Sequence, residues 1–413
     1  MSAISSFIEK PKMVKIKGVV QHYSWGGTQF ITDLLSLENP DQKSHAEYWL
    51  GAHPKAPSLA ETPDATIPLN QLIDNATEQV LGKAVVEKFG NRLPFLFKVL
   101  DARDMLSIQV HPSREQAKTG FERENQAGIP LDAPHRNYKD DNHKPEVHVA
   151  LTDFWMLHSF REPDEIEHIL TSTPEFNEFL PYYTDKDIKS LYSHIMQLSQ
   201  ADVDRILNPL INRLLPKYHN RELPRDNPDY WAVLASIKFP LEDGHRDRGI
   251  FSIYLFNLVH LKPGEGTFQD AGIPHAYLQG VNMELMASSD NVLRGGLTPK
   301  HIDVPELLNT LVFTGGHPQI IRGKEISNME TVYTTTAPDF ELSRLQIDKS
   351  HRWQSTEEHG PEILLVLKGK VEVCGKNNAF TCHPGEAFFV PADLPYSLKT
   401  EQSALLYKAS VPR

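Results

Sequence analysis

The sequence predicts a mainly β protein that carries a helical insertion, and three observations support this prediction. Short apolar runs bounded by Gly and Pro dominate the opening third and return after residue 249. Between residues 163 and 216 the apolar positions recur instead at helical spacing. After residue 322 the strand-like runs continue to the C-terminus. Because 413 residues exceed what one hydrophobic core usually organises, we expect two or three packed units.

The opening third predicts short strands and turns with one helical patch. The segment Tyr23–Gly27 (YSWGG) is typical of a turn, and Ala46–Ser58 is typical of a strand that enters a Pro-rich loop. Apolar residues at helical intervals between Leu72 and Leu81 predict a helix. The run Phe95–Pro112 predicts two strands around a turn. The charged, Pro-containing segment Ser113–His143 predicts a loop.

The middle of the chain predicts amphipathic helices inserted into a β protein. Apolar stripes between Ile188 and Leu214 have the spacing of helices that pack against a core. We therefore assign residues 161–240 to a helical domain. The apolar run after Gly249 (IFSIYLFNLVHL) predicts a return to strands, and residues 323–413 predict a further β unit.

The composition excludes several classes of function. A net charge of −12 argues against a nucleic-acid or acidic-membrane partner, and an anionic small substrate would need a local basic pocket. The two cysteines, Cys374 and Cys382, are too few for a secreted disulfide scaffold. The N-terminal segment lacks the apolar run of a signal peptide, and no stretch has the roughly 20 apolar residues of a membrane span. We expect a cytoplasmic protein.

Residues from one predicted strand and from two distant turns form a candidate metal site. Gln109 and His111 are two positions apart, so their side chains point to the same face of a strand. Glu146 and His275 each follow a turn that enters a strand, and both can point to the same interior. A carboxylate, two imidazoles and an amide oxygen make a ligand set that suits zinc. Spacing alone leaves two neighbouring histidines as alternatives: His143 and His148.

A second candidate site lies in the segment Ser288–His301 (SSDNVLRGGLTPKH). It offers Asp290, Arg294 and Lys300 around the pair Gly295-Gly296. In an acidic chain, Arg and Lys beside a Gly-rich loop can hold a phosphate. The alternative is a solvated loop between two strands. The sequence has no P-loop and no dinucleotide-binding motif, so a nucleotide site is not indicated.

Several of these segments resemble one known family, the type I phosphomannose isomerases. The similar runs are YSWGG, FLFKVLDARDMLSIQVHP, DDNHKPEVHVALTDF and AGIPHAYLQGVNMELMASSDNVLRGGLTPKHIDVPELL. They occur in the family's order and extend from about Gln21 to Leu308. The resemblance implies two cupin-like (jelly-roll) β-barrels plus an α-helical domain, one zinc ion per chain, and mannose-6-phosphate isomerase activity on a small phosphorylated sugar.

The resemblance also implies roles for particular residues. Residues 1–160 together with 241–322 would form the zinc-binding catalytic barrel. The implied zinc ligands are Gln109, His111, Glu146 and His275. The implied pocket residues are Lys144, Tyr277, Glu284, Asp290 and Arg294, with Lys300 and Ser113 at the edge and Trp25 and Glu47 closing one side.

A long-range similarity within the chain suggests that the second barrel lacks a metal. The segment Lys262–Gly280 parallels His383–Thr400, since both contain Pro-Gly-Glu followed by a later Pro. At the position of the metal ligand His275, the second segment has Tyr396. We therefore expect the C-terminal barrel, residues 323–413, to bind no metal and to have a structural role.

The implied reaction moves a proton between C1 and C2 through an enediol or enediolate. Zinc and a cation such as Arg294 or Lys144 would stabilise the negative charge that develops on oxygen. Arg294 stays charged at any working pH and is therefore suited to stabilise this charge rather than to act as the base. The candidates for the base are Glu284, His143, Asp290 and zinc-bound hydroxide, and His143 is also a candidate for ring opening.

Two other classes of protein also use cupin barrels. An iron oxygenase would favour an open face of two His and one carboxylate, whereas the candidate ligand Gln109 and the basic loop favour a phosphorylated sugar. A non-catalytic sugar-binding cupin would need neither Lys144 nor Arg294. A zinc-dependent aldose-ketose isomerase is therefore the function that the sequence predicts.

Overall fold

A computed structural model of the chain describes residue 7 and residues 9–62 and 65–412. It is rich in β-strands, and the α-helices Pro163–Ser172, Ile188–Gln197, Gln200–His219 and Pro228–Lys238 follow one another in the middle of the chain. This confirms the predicted mainly β class with helices in the middle of the chain. Within the described residues, no helix combines the length and the apolar character that crossing a membrane requires.

The secondary structure alternates short strands with isolated helices. The strands are β1 (Val14–Lys17), β2 (Val19–Gln21), β3 (Glu47–Gly51), β4 (Leu59–Glu61), β5 (Thr66–Pro68), β6 (Phe95–Ala102), β7 (Ile108–Val110), β8 (Glu146–Ala150), β9 (Phe154–Phe160), β10 (Phe256–Leu261), β11 (Gly266–Gln269), β12 (His275–Ala287), β13 (Leu293–Gly296), β14 (Lys324–Glu325), β15 (Glu330–Tyr333), β16 (Glu341–Asp348), β17 (Arg352–Gln354), β18 (Glu362–Lys368), β19 (Val371–Gly375), β20 (Ala379–Cys382), β21 (Ala387–Val390), β22 (Tyr396–Lys399) and β23 (Ser403–Ser410). The α-helices are α1 (Phe30–Leu34), α2 (Leu69–Asn75), α3 (Thr77–Leu81), α4 (Lys83–Phe89), α5 (Arg114–Gln126), α6 (Pro163–Ser172), α7 (Ile188–Gln197), α8 (Gln200–His219), α9 (Pro228–Lys238), α10 (Gly249–Leu255) and α11 (Val304–Thr310), and short 3-10 helices span Pro174–Tyr182, Thr184–Lys186 and Glu242–Gly244.

Among the described residues these strands form sheets of ten, nine and four strands, here called sheets I, II and III. Sheet I is centred on the long strand β12, which pairs antiparallel with β6, β7, β8 and β9. In this register Glu284 lies opposite Lys98, and His275 lies opposite Gln109. The fold thus brings residues that are far apart in the sequence onto adjacent strands.

Sheet II joins the C-terminal strands to three strands from the start of the chain. β1 pairs with β21 and with β4, and β4 pairs with β5. Sheet III contains β17, β22, β19 and β20, and an apolar cluster that includes Leu345, Phe388 and Leu406 packs alongside it. Strands from the two ends of the chain therefore belong to the same sheet.

The interior around Tyr396 contains buried polar groups that pair with one another. The Tyr396 hydroxyl donates to Glu362 Oε2 at 2.6 Å, and Trp353 Nε1 donates to Glu330 Oε2 at 2.8 Å. Lys408 Nζ lies 2.9 Å from Glu330 Oε1 and 3.7 Å from Glu362 Oε1. Tyr396 thus bonds to a carboxylate, and it occupies the position that corresponds to His275 in the similar segment Lys262–Gly280.

The helical region packs against one face of sheet I. Helices α6 to α9 contribute buried apolar residues such as Ile166, Leu207 and Trp231 to a cluster shared with Leu157 and Phe160 of β9. These are the apolar stripes that the helical spacing predicted. Their burial against the sheet, rather than around a ligand, explains the periodicity.

Two local predictions were wrong. The segment predicted as a loop contains helix α5, whose N-cap Ser113 and third residue Gln116 form a capping box: Ser113 Oγ accepts from Gln116 N–H at 3.2 Å and Gln116 Oε1 accepts from Ser113 N–H at 2.9 Å. The Ser-x-x-Gln spacing was the missed signal. In the apolar run after Gly249, the first part is helix α10 and only Phe256–Leu261 is a strand. Every residue of α10 is buried, so no periodicity separated helix from strand.

Candidate active site and metal centre

A cavity is lined in part by residues of strands β3, β6, β7, β12 and β13 of sheet I. It has a volume of about 620 Å³ and adjoins a smaller chamber of about 70 Å³. The residues that line both spaces are Glu47, Lys98, Leu106, Gln109 and Lys144. The inner chamber also reaches Glu146, His275, Tyr277 and Glu284, whereas the outer cavity reaches Trp25, Asp290, Arg294 and Lys300. Most residues that the sequence singled out therefore share one site.

Three predicted metal ligands converge beside the inner chamber. One potential ligand atom from each of His111, Glu146 and His275 lies within 4.8 Å of the others, and all three residues are buried. His111 Nε2 is 3.3 Å from Glu146 Oε1, and His275 Nε2 is 3.4 Å from Glu146 Oε2. Both imidazoles thus point the same ring nitrogen towards one carboxylate.

Backbone carbonyls hold the other nitrogen of each ring. His111 Nδ1 lies 2.8 Å from the Asn291 carbonyl oxygen, and His275 Nδ1 lies 3.0 Å from that of Ile273. A hydrogen on Nδ1 leaves Nε2 with a free lone pair, which is the arrangement that metal-bound histidines use. His111 Nε2 is buried and has no hydrogen-bond partner among the residues that the structure describes. A metal ion would satisfy this nitrogen.

The surroundings of His111 and Glu146 also favour the protonation states in which these side chains bind a metal. Burial, together with Lys144, lowers the pKa of His111 to about 4, so its imidazole is neutral at pH 7. Burial alone would raise the pKa of Glu146, but Lys144 and His111 hold it well below its ordinary value. Lys144 Nζ lies 2.9 Å from Glu146 Oε1. A neutral imidazole and an ionised carboxylate are the forms that bind zinc.

Gln109 occupies a position between the metal group and the outer cavity. It lies opposite His275 of β12 and opposite Arg294 of β13 in the strand register. It lines both the chamber and the cavity. His148, the alternative ligand, lies outside this group, because its buried ring packs against Gln269 and Thr267.

A buried lysine with two glutamates also lines the inner chamber. Lys98 Nζ is 2.6 Å from Glu284 Oε1 and 3.6 Å from Glu47 Oε2. The Tyr277 hydroxyl donates to Glu284 Oε2 at 2.8 Å, and Trp49 Nε1 donates to Glu47. Burial alone would lower the pKa of Lys98, but the two carboxylates raise it well above its ordinary value. The lysine is therefore charged and fixed.

Sequence reasoning missed Lys98, although the sequence contained a signal for it. All eight residues of β6 are buried, and Lys98 is the single cation in that apolar strand. A lysine is seldom fully buried unless it is paired. Its position in the run FLFKVLDA was therefore a sign of a buried polar site.

Two cations in the outer cavity lack acidic partners. Arg294 and Lys300 both line the cavity, and no carboxylate in residues 9–62 or 65–412 lies within ion-pairing distance of either. Burial lowers the pKa of both groups, and the Arg294 charge further lowers that of Lys300. Another cavity cation, Lys238, is already paired with Asp104 at 2.6 Å. Two unpaired, partly desolvated cations make this part of the cavity suited to a phosphate.

Asp290 lines the cavity but is already paired. Its carboxylate lies 2.7 Å from Lys55 Nζ and 3.3 Å from His53 Nε2. Burial would raise its pKa, but these two partners hold the pKa well below the ordinary value. Trp25, which stacks on Tyr23, lines the same cavity.

Besides His111, which lies beside the inner chamber, the predicted site residues His143 and Ser113 line neither space. His143 Nε2 lies 2.7 Å from Asp339 Oδ2 and 2.6 Å from Arg114 Nη2, and His143 is absent from the cavity walls. Ser113 caps helix α5 instead of reaching the cavity. The structure thus separates these two residues from the other predicted site residues.

The pair Gly295-Gly296 serves packing within the protein rather than access for a ligand. A Cβ on Gly296 would approach the Gly249 Cα to 2.4 Å, and one on Gly295 would approach Ile108 to 2.9 Å. Asp247, which the sequence did not single out, fixes the next residues by accepting from the backbone N–H groups of Leu297 and Thr298 at 2.9 and 3.1 Å. The end of β13, which carries Arg294, is therefore fixed by contacts with Gly249 and Asp247.

Comparison with known proteins gives consistent matches. The family model "Phosphomannose isomerase type I, catalytic domain" matches residues 13–163. Mannose-6-phosphate isomerase of Salmonella typhimurium is 37% identical over 387 residues, which cover 92% of this chain and 95% of the relative. The Bos taurus mannose-6-phosphate isomerase is 32% identical over 425 residues, which cover 95% and 96% of the two chains.

The fold is also similar to solved structures. The Salmonella typhimurium mannose 6-phosphate isomerase bound to fructose 6-phosphate and zinc superposes with a TM-score of 0.86 and is 35% identical. The match covers 97% of this chain and 100% of that one. A zinc-bound holo mannose 6-phosphate isomerase gives the same TM-score and coverage. The similarity therefore extends over nearly the whole chain.

Proposed function

Because the chain belongs to the type I phosphomannose isomerases, we propose that the cavity described above is the active site at which it performs that family's reaction. It is a zinc-dependent enzyme that interconverts mannose 6-phosphate and fructose 6-phosphate. The observation that supports this location best is the convergence of His111, Glu146 and His275 beside two unpaired cations. An oxygenase and a non-catalytic sugar-binding protein are set aside accordingly.

We infer a division of the chain that agrees with this function. Residues 1–160 with 241–322 would form a cupin-like catalytic barrel, 161–240 a helical domain, and 323–413 a second cupin-like barrel without metal. The antiparallel pairing around β12 and the paired polar groups at Tyr396 support this division. The free thiols Cys374 and Cys382 support a cytoplasmic location.

The zinc ion would be held by His111, Glu146 and His275, with the Gln109 amide as the fourth ligand. When bound, it would polarise a substrate oxygen and stabilise the negative charge that develops there. Lys144 and Asn291 support the ligands, since Lys144 pairs with Glu146 and the Asn291 carbonyl fixes the His111 ring. These contacts place the ligands before the metal binds.

Arg294 and Lys300 would bind and orient the phosphorylated sugar. Their charges are not neutralised by any carboxylate in the described part of the chain, so an anionic group can take that place. Arg294 lies opposite Gln109, the proposed fourth zinc ligand, in the strand register. We propose that Arg294 stabilises the enediolate, while Lys300 mainly anchors the phosphate.

Glu284 is the proposed base that moves the proton between C1 and C2. Of the four candidates, His143 lies outside the cavity, and Asp290 is too weak a base because its pKa is held very low. Glu284 lines the inner chamber together with the metal ligands. Lys98 and Tyr277 each donate to one of its oxygens and fix its orientation. The fourth candidate is hydroxide on the metal, and isotope exchange in the Glu284→Gln variant distinguishes it from Glu284.

The phosphate should be essential for turnover. We expect rapid isomerisation of mannose 6-phosphate and very slow isomerisation of free mannose, because binding to the remote phosphate can be used to lower the barrier at C1 and C2. The rates of both substrates are measured with the zinc-loaded protein. Equal rates would contradict the proposed role of the two unpaired cations.

Replacing Arg294 by alanine should lower kcat more than it raises KM. Removal of one preorganised donor to a developing charge lowers kcat by about 10²–10³-fold. Zinc content should be unchanged, because Arg294 is not a proposed ligand. Steady-state kinetics with mannose 6-phosphate measure both constants.

Lys300→Met is the matched control for Arg294→Ala. We expect this variant mainly to raise KM, because Lys300 is proposed to contact the phosphate in both the ground state and the transition state. If Arg294→Ala raises KM and leaves kcat unchanged, Arg294 is a phosphate anchor and its assignment to the enediolate is wrong.

A further inference from the structure

A buried carboxylate from the C-terminal part of the chain reaches the segments that carry the metal ligands. Asp339 lies in the loop between β15 and β16 and is only 1% exposed. Its Oδ1 accepts from Arg114 Nη2 at 3.1 Å, and its Oδ2 lies 2.7 Å from His143 Nε2. Asp339 is separated from these partners by 225 and 196 residues in the sequence.

The two partners of Asp339 flank the proposed zinc ligands. Arg114 begins helix α5 and lies three residues after His111. His143 lies three residues before Glu146, and only Lys144 and Pro145 separate them. Since Pro145 restricts the backbone, a displacement at His143 would be passed on to Glu146.

We propose that Asp339 is a positioning residue that holds the His111 and Glu146 segments at the spacing required for zinc. The inference rests on the zinc site proposed above and extends it to a part of the chain that supplies no ligand. Asp339 touches neither metal group nor cavity wall. It acts through Arg114 and His143, and it explains why His143 is not available in the cavity.

The physical reason is the precision that metal binding demands. Ligand atoms must be held within about 0.5 Å of the productive geometry by contacts behind them. His111 directly follows β7 and Glu146 begins β8, and the Asp339 carboxylate contacts Arg114 and His143, each three residues from one of these ligands. Asparagine at this position would keep one oxygen that can accept from Arg114, but it would lose the charge and replace the second acceptor with an NH2 group, so the paired link to both segments would be broken.

The test compares zinc affinity in Asp339→Asn and wild-type full-length protein. Zinc is titrated into the metal-free proteins in competition with a chromophoric chelator, and thermal unfolding of the metal-free forms is recorded alongside. We expect Asp339→Asn to raise the zinc dissociation constant about tenfold, the lower end of the effect of removing a supporting contact. With zinc at saturation, kcat should recover substantially and KM should stay close to the wild-type value.

Tyr396→Phe is the matched control. It also removes one hydrogen bond to a buried carboxylate in the C-terminal part, but it has no link to the ligand segments. Its zinc affinity should equal that of the wild type even if unfolding occurs at a lower temperature. An unchanged dissociation constant in Asp339→Asn, or an equal increase in both variants, would overturn the proposal.

A second variant keeps the test decisive if Asp339→Asn does not fold. Arg114→Gln removes one partner whose side chain is 39% exposed, so it should fold and weaken zinc binding in the same direction. Wild-type affinity in Arg114→Gln would then overturn the proposal. If the wild-type protein binds no zinc, both the proposed zinc site and this inference are wrong. If the wild-type protein binds zinc and the variants bind it equally well, only the inference about Asp339 is wrong.

Discussion

The His275→Ala variant is expected to lose its zinc and at least about 10³-fold of kcat/KM. His275 begins β12 and points Nε2 at Glu146, so its removal leaves His111 and Glu146 as the only charged or imidazole ligands. A bound metal contributes several kcal/mol of charge stabilisation in the transition state, and about 4 kcal/mol corresponds to a thousandfold change in rate. Zinc is measured by elemental analysis together with the steady-state rate.

Removal and return of the metal provide the control for this variant. Chelation should abolish the activity of the wild-type protein, and added zinc should restore it. Added zinc should not restore His275→Ala to the wild-type rate. A His275→Ala protein that keeps one zinc per chain and full activity would disprove the assignment of the ligand.

The Glu284→Gln variant should lose about 10²–10⁴-fold in kcat, the range that general acid–base catalysis contributes. Glutamine has nearly the same shape, so it can still accept from Lys98, and the Tyr277 hydroxyl can rotate to accept from the amide. Zinc content and KM should change little. The rate of proton transfer should fall, because the glutamine amide cannot take up the proton.

Isotope exchange distinguishes a base from a structural residue. In heavy water, the wild-type enzyme should place deuterium on the product at the carbon that is reprotonated, and Glu284→Gln should lose exchange together with turnover. Tyr277→Phe, which removes only one orienting hydrogen bond, should keep exchange at a reduced rate. Undiminished exchange in Glu284→Gln would assign the proton transfer to another group, such as hydroxide on the metal.

The grouping of His111, Glu146 and His275 could be anticipated from the sequence because strand geometry and residue chemistry pointed to the same residues. The spacing of Gln109 and His111 predicted a shared face, and the structure, in which His111 directly follows β7, places His111 with Glu146 and His275. The pairing of β12 with both β7 and β8 was not predictable, because strand register depends on contacts between distant segments. Spacing alone therefore could not exclude His148, whose ring is held by Gln269.

The helices and loops show where local patterns were insufficient. Helix α10 is buried on every side, so it has no polar face that would reveal its period. Helix α5 carries few apolar residues, and its main signal was the capping box that begins at Ser113. The surroundings of His143 were also hidden, because Asp339 is 196 residues away in the sequence.

The location of zinc is the measurement that tests this account most directly. Anomalous diffraction at the zinc absorption edge, recorded from crystals of the metal-loaded protein, gives the position of every bound zinc. We predict one zinc per chain, bound by Nε2 of both His111 and His275, by the Glu146 carboxylate and by the Gln109 amide. A zinc ion held elsewhere, such as beside Glu362 and Tyr396, with none at His111, would contradict it.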